Sequence, residues 1–209
     1  DEETYLRWTE FAAFSPIMRF HGVTPREPWA YSRYAVSVYK FYAWLRENLL
    51  KYSVHTAEEA HKTGIPMMRP LPMVFPEDKE AVYWEDEYFY GSDLLVAPVH
   101  QEGEKRRIYF PSGSWINLLD FRKMVGGNRI FQVDVPIDKI PVYIREGACI
   151  LSVMNGELQL GQSMTYEKKN TVLMSRALNE TSGKRYADGK VIEYNILGKT
   201  GEDFFMLRQ

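Results

Sequence analysis

Ser15-Pro16-Ile17-Met18-Arg19-Phe20-His21-Gly22 is a short apolar run that delivers an arginine and a histidine to a glycine-marked reversal of the chain. A run of roughly four to eight apolar residues bounded by Pro and Gly suits a buried strand. A polar pair at the carboxyl end of such a strand stands where α/β enzymes place their chemistry, so the stretch predicts a strand end that opens onto a site. The plainer reading is an Arg and a His satisfied by backbone partners, and this stretch alone leaves both readings open.

The flanks give the stretch a setting. Glu2 to Phe14 carries acids in its first turn, where they suit the helix dipole, with Tyr5, Trp8 and Ala12 on one stripe and Ser15-Pro16 as a stop. Beyond the loop through Pro25-Arg26-Glu27-Pro28-Trp29, the residues Tyr34, Val38, Phe41, Leu45, Leu49 and Tyr52 keep three- and four-residue spacing. That segment predicts a long helix ending at Gly64, with a kink or break near Asn48 to Ser53. The helical pattern gives way near Pro70 to Lys79. From Tyr83 onward, Glu87 to Tyr90, Leu94 to Val99, Arg106 to Phe110, Arg129 to Val135, Val142 to Arg145 and Ala148 to Val153 are short, β-branched and aromatic, at the spacing of an antiparallel sandwich. Weaker strands are expected at Ser163 to Tyr166, Thr171 to Ser175, Val191 to Ile196 and Phe204 to Leu207, with a turn at Asp188-Gly189.

Composition narrows the class. The chain has 209 residues, of which 45% are hydrophobic, enough for a proper core in one large domain or two ordinary ones. A formal net charge of -2, with Lys and Arg dispersed, argues against nucleic acid as a partner. No apolar run is long enough to span a bilayer, and Asp1-Glu2-Glu3 offers neither a basic start nor an apolar signal core, so no membrane partner is expected. Cys149 is the one cysteine and sits in the apolar run Ala148-Cys149-Ile150-Leu151. A lone cysteine excludes an internal disulfide framework and favours a reducing, cytoplasmic location.

Several ordered blocks then carry a resemblance. Tyr5-Leu6-Arg7-Trp8, Ala13 through Gly22 and Pro25-Arg26-Glu27-Pro28-Trp29 resemble the seventh helix, eighth strand and following loop of glycoside hydrolase family 31, which includes α-glucosidases and α-xylosidases. The likeness continues through Ala60 to Leu71, Phe75-Pro76-Glu77-Asp78, Tyr90 to Val99 and Ile140 to Ala148. The resemblance implies an α/β plus all-β fold: the C-terminal end of a (β/α)8 barrel, a proximal β-sandwich and part of a distal β-domain. The corresponding divisions are residues 1–76, 77–153 and 154–209.

In that family one aspartate acts as nucleophile and another as acid/base in a retaining mechanism. The Trp-x-Asp-x-Asn-Glu nucleophile motif does not occur in this sequence. The resemblance therefore implies a C-terminal part with no catalytic carboxylate of its own, inactive alone and partnered by a missing N-terminal part. His21 takes the role of the histidine that hydrogen-bonds a glycone hydroxyl. Arg19 either faces the barrel interior near the nucleophile or pairs with a structural carboxylate. Trp29 is a stacking platform at the sugar site or a core residue. The implied substrate is an α-linked glucoside or xyloside, with no cofactor; a homo-oligomer stays open. The competing reading is a non-catalytic β-sandwich module that binds carbohydrate or assists assembly.

Two other constellations carry less. Glu58 and His61 have the Glu-x-x-His spacing of carboxylate-bridged metal sites, but that chemistry needs a second such pair, and no metal is expected. The acidic run Glu85-Asp86-Glu87 reads as a solvated face, since it lacks the alternating oxygen ligands and central glycine of a calcium loop.

Overall fold

The computed structural model describes residues 1–120, 124–155, 159–163, 169–175, 181–187, 190–196 and 204–208. Helix α1 spans Glu2–Ala13, and the Asp1 carboxylate caps it by accepting from the Thr4 amide at 2.7 Å. The long helical segment is interrupted where a break was expected: α2 covers Arg33–Asn48 and α3 covers Leu50–Thr63. Asn48, fully buried at the break, donates from Nδ2 to the Val153 carbonyl and accepts from the Gly161 amide, each at 2.8 Å. The interruption is thus held by a side chain that ties two helices to a later strand. Gly64 ends α3 in the left-handed region at φ 76°, as its position after the last helical turn predicts.

Sheet structure begins at strand β1, Met68–Pro70, followed by the short helix α4, Leu71–Val74. Strands β2 (Tyr88–Tyr90), β3 (Leu94–Val96), β4 (Lys105–Phe110), β5 (Ser114–Asn117), β6 (Met124–Gly126), β7 (Arg129–Asp134), β8 (Val142–Arg145) and β9 (Cys149–Met154) come next. The main sheet has six strands in the order β1-β2-β3-β8-β5-β6, and β4 pairs with β7 in a separate ladder. Then come β10 (Lys169–Ser175), β11 (Thr181–Ala187), β12 (Lys190–Ile196) and β13 (Phe204–Arg208). Strand β9 joins β10 and β13 in a three-stranded sheet, and β11 pairs with β12. Strands β1, β5, β6 and β11 are not legible in the sequence pattern. The expected strand at Ser163 to Tyr166 falls on residues 164–166, which with the turn at 188–189 lie outside the described residues.

The period of two in the central strands explains how the core is divided. Tyr88 and Tyr90, Leu94 and Val96, and Val142 and Ile144 face the helices and join Leu6, Phe14, Tyr42, Leu45 and Tyr52 in one cluster. The intervening Phe89, Leu95 and Tyr143 face the other way and pack with Ile108, Phe110 and Trp115 against the β4–β7 ladder. Both faces of the sheet are therefore covered, which is why these strands read as continuous apolar runs rather than alternating ones.

The expected barrel strand does not take strand form in this chain. Ile17 to Phe20 is irregular, and every strand pair among the described residues is antiparallel, with no partner for this segment. A parallel strand needs neighbours on its edges, and the described residues supply none. Among them, too, no helix is long and apolar enough to cross a membrane.

Candidate functional site

The segment bearing Arg19 and His21 is fixed at its base by the end of α1. The Arg46 guanidinium, on α2, donates to the carbonyls of Ala12, Ala13 and Ser15, and to that of Pro16 at 2.6 Å. A cation on the last carbonyls of a helix satisfies acceptors that have no intrahelical partner and meets the negative end of the dipole. At the other end of the loop, Ser32 caps α2 by accepting from the Ala35 amide at 2.9 Å and donates to Glu2 at 2.5 Å. The chain from Ser15 to Ser32 is thereby closed between the C-terminus of α1 and the paired N-termini of α1 and α2.

Met18 packs against the helical core, and the Phe20 ring lies 4.8 Å from Tyr39 and 6.1 Å from Tyr5. Beside them, Arg19 Nη2 donates to His21 Nδ1 at 3.0 Å. Both side chains are exposed. They line a cleft of about 540 Å³ whose other walls include Tyr5, Trp8, Arg26 and Tyr39. Burial pushes the ionisation of the Tyr5 hydroxyl well above the ordinary tyrosine range. Gly22 turns the chain at φ 156°, and a β-carbon there would collide with the Arg26 guanidinium.

Of the three residues singled out in the sequence, Arg19 and His21 come together. Trp29 sits in a short 3₁₀ turn at Pro28–Ala30, 72% exposed, outside the lining of this cleft. The tryptophan that does line it is Trp8, from α1. Arg19 makes no ion pair to a carboxylate among the described residues; its recorded polar partner is the imidazole. Glu58 turns to Lys62 at 3.8 Å, an ordinary i,i+4 surface pair.

Sequence reasoning missed two buried carboxyls, Glu10 on α1 and Glu87 just ahead of β2. Glu10 is 1% exposed beside Arg7, and burial pushes its carboxyl up to about 9 despite the guanidinium at 3.3 Å. Arg7 also donates to the carbonyls of Val135, Pro136 and Lys139, so the pair clamps α1 to the loop after β7. The run Glu85-Asp86-Glu87 is not the solvated face it resembles. Glu87 is 1% exposed, accepts from the Tyr109 amide at 2.9 Å and is pushed by burial up to about 8, while Asp86 pairs with Arg106 at 2.7 Å. Their one warning in the sequence is that the run leads directly into the apolar Tyr88-Phe89-Tyr90. Neither Glu10 nor Glu87 lines the cleft that holds the Arg19–His21 pair.

Comparison with known proteins agrees with the blocks noted in the sequence. Residues 1–56 match the profile of the glycosyl hydrolases family 31 TIM-barrel domain, and residues 64–150 that of the glycosyl hydrolase family 31 C-terminal domain. Over 173 residues the chain is 35% identical to an isomaltosyltransferase of Sporosarcina globispora, covering 76% of this chain and 16% of that protein. An α-xylosidase of Saccharolobus solfataricus is 34% identical over 151 residues, 71% of this chain and 20% of the relative. A GH31 dextranase of Flavobacterium johnsoniae, solved with glucose, superposes with a TM-score of 0.72 at 28% identity, covering 90% of this chain and 28% of that one. The chain thus spans about a fifth of the length of curated relatives such as the α-xylosidase. With a barrel-domain match ahead of Gly64 and a C-terminal-domain match from it onward, the chain belongs to glycoside hydrolase family 31.

Proposed function

We propose that this chain is the C-terminal portion of a retaining α-glycosidase acting on α-glucosides or α-xylosides, and that it supplies a sugar-holding histidine but neither catalytic carboxylate. The observation that carries the reading is the Arg19–His21 pair, presented together on the open side of the segment after α1 and lining a cleft. His21 hydrogen-bonds a hydroxyl of the glycone, and a contact that tightens as the ring flattens toward its oxocarbenium-like transition state lowers the barrier to reaction. Trp29, exposed in its turn, is open to stacking against a sugar beyond that position.

The nucleophile and the acid/base lie in the part of the protein that this chain lacks. In a double displacement the first carboxylate forms a glycosyl-enzyme and the second protonates the departing oxygen, then activates the acceptor. Water as acceptor gives hydrolysis and a sugar hydroxyl gives transfer; the relatives' names include both an α-xylosidase and an isomaltosyltransferase.

The test uses nitrophenyl α-glucoside and α-xyloside. The complete protein releases nitrophenol and a product whose first anomer, seen by proton NMR, is α; the 209-residue chain alone releases none. Turnover by the isolated chain, or a β anomer from the complete protein, overturns the proposal. A carbohydrate-binding module without catalysis would instead leave both substrates intact in both preparations.

A further inference from the structure

We infer that Arg19 is a positioning residue that holds the neutral His21 ring in one tautomer, with its proton on Nε2, so that the histidine meets its ligand as a donor. The sugar-facing part of this inference rests on the function proposed above; the tautomer does not. A guanidinium carries five N–H groups and no lone pair able to accept. Its Nη2 stands 3.0 Å from His21 Nδ1, so the nitrogen it meets must offer a lone pair and carry no hydrogen. The ring proton of the neutral imidazole is then on Nε2, the nitrogen turned away from Arg19. Which ring nitrogen bears the proton is set by the bond the other one makes.

The arrangement follows from the backbone. Arg19 and His21 are two residues apart, close enough for Nη2 of one to reach Nδ1 of the other, while Phe20 between them is packed on Tyr39 and Tyr5. Among the described residues no carboxylate pairs with Arg19, leaving the guanidinium to the ring. The consequence for recognition is directional: the ligand atom facing His21 has to present a lone pair, as a hydroxyl oxygen does. Arg19 itself need not touch the sugar.

Histidine-selective ¹⁵N labelling of the 209-residue chain reads the tautomer directly through long-range proton–nitrogen correlations at pH 8, with His21 identified by the signals that H21Q removes. The expected wild-type pattern is a single neutral form, protonated at Nε2. R19M, which has no donor, moves the pattern toward an average of both tautomers; R19Q, whose amide still donates, keeps the wild-type pattern. A wild-type ring protonated at Nδ1, or already averaged, overturns the inference, as does an R19M spectrum identical to wild type. Backbone amide spectra establish that each variant is folded, and the wild-type spectrum stands as a test by itself.

In the complete protein the two residues form a double-mutant cycle. R19M lowers kcat/KM on nitrophenyl α-glucoside by about tenfold in the wild-type background and by less than about twofold when H21Q is already present. Equal losses in both backgrounds contradict action through His21. If H21Q leaves kcat/KM unchanged while the Nε2–H tautomer is seen, the proposed function fails and the positioning role of Arg19 stands.

Discussion

Two short apolar runs behave oppositely in this molecule. Leu94–Val96 is hydrogen-bonded on one edge to Tyr88–Tyr90 and on the other to Val142–Arg145, and all three of its residues are fully buried. Ile17 to Phe20 has no sheet partner among the described residues, and Ile17 is 73% exposed. Both runs are bounded by turn-forming residues, so the difference does not lie in local composition. It lies in what each run is given to pair with and to cover. Strand character is largely conferred by cross-strand neighbours and burial, and a run without them stays irregular however apolar it is.

The sharpest way to break this comparison is to remove matter from each side of it. Trp115, fully buried against Phe89 and Phe110 with its indole donating to the Pro111 carbonyl at 3.1 Å, belongs to the well-partnered region. W115A should cost about 4 kcal/mol in urea unfolding, the range for emptying a large aromatic site in a core. I17A should change stability by less than about 0.5 kcal/mol. Similar losses at the two positions would show that the exposed segment is packed in solution.

Next in size is the clamp between α1 and the sheet side. R7M orphans the Val135, Pro136 and Lys139 carbonyls and strips Glu10 of its partner, and is expected to cost about 3 kcal/mol. Its measurement is the same urea midpoint at unchanged slope. A separate effect is the pH dependence that the buried carboxyls impose. Burial raises Glu10 from 4.5 to about 9 and Glu87 from 4.5 to about 8, so the folded chain holds more protons than the unfolded one between these values. Their contribution to stability is complete below about pH 4.5, falls as pH rises, and is lost once pH passes about 8 for Glu87 and about 9 for Glu10. Melting temperature should therefore decline from pH 5 to pH 8, and E10Q with E87Q should flatten that decline. A melting temperature that rises over this range would contradict the assignment of both groups as buried acids.

Much of the architecture is legible in the residues, for physical reasons that can be named. α1, α2 and α3 announce themselves through stripes at helical spacing, an acidic first turn and the glycine after Thr63, all local signals. β8 is found at its own bounds because Val142 to Arg145 is short, branched and closed by Glu146-Gly147. β1 and β5 are invisible because Met68-Arg69-Pro70 and Ser114-Trp115-Ile116-Asn117 become strands only through pairing with Tyr88–Tyr90 and Val142–Arg145, which are distant in sequence. The site was partly legible for the same reason. Arg19 and His21 are close in sequence and meet directly, whereas the cleft's Trp8 comes from another element. Glu10 and Glu87 look like surface acids until the packing around them is known.

The central claim is that His21 serves a sugar and not the fold. The kcat/KM of the complete protein on nitrophenyl α-glucoside, compared between wild type and H21A, tests it most directly. The account predicts a loss on the order of 10²-fold with a melting temperature within about 1 °C of wild type, since a lost hydroxyl contact weakens the transition state and a residue that serves the sugar is not needed by the fold. An H21A enzyme with unchanged kcat/KM, or one whose loss of activity tracks a collapse in stability, would contradict it.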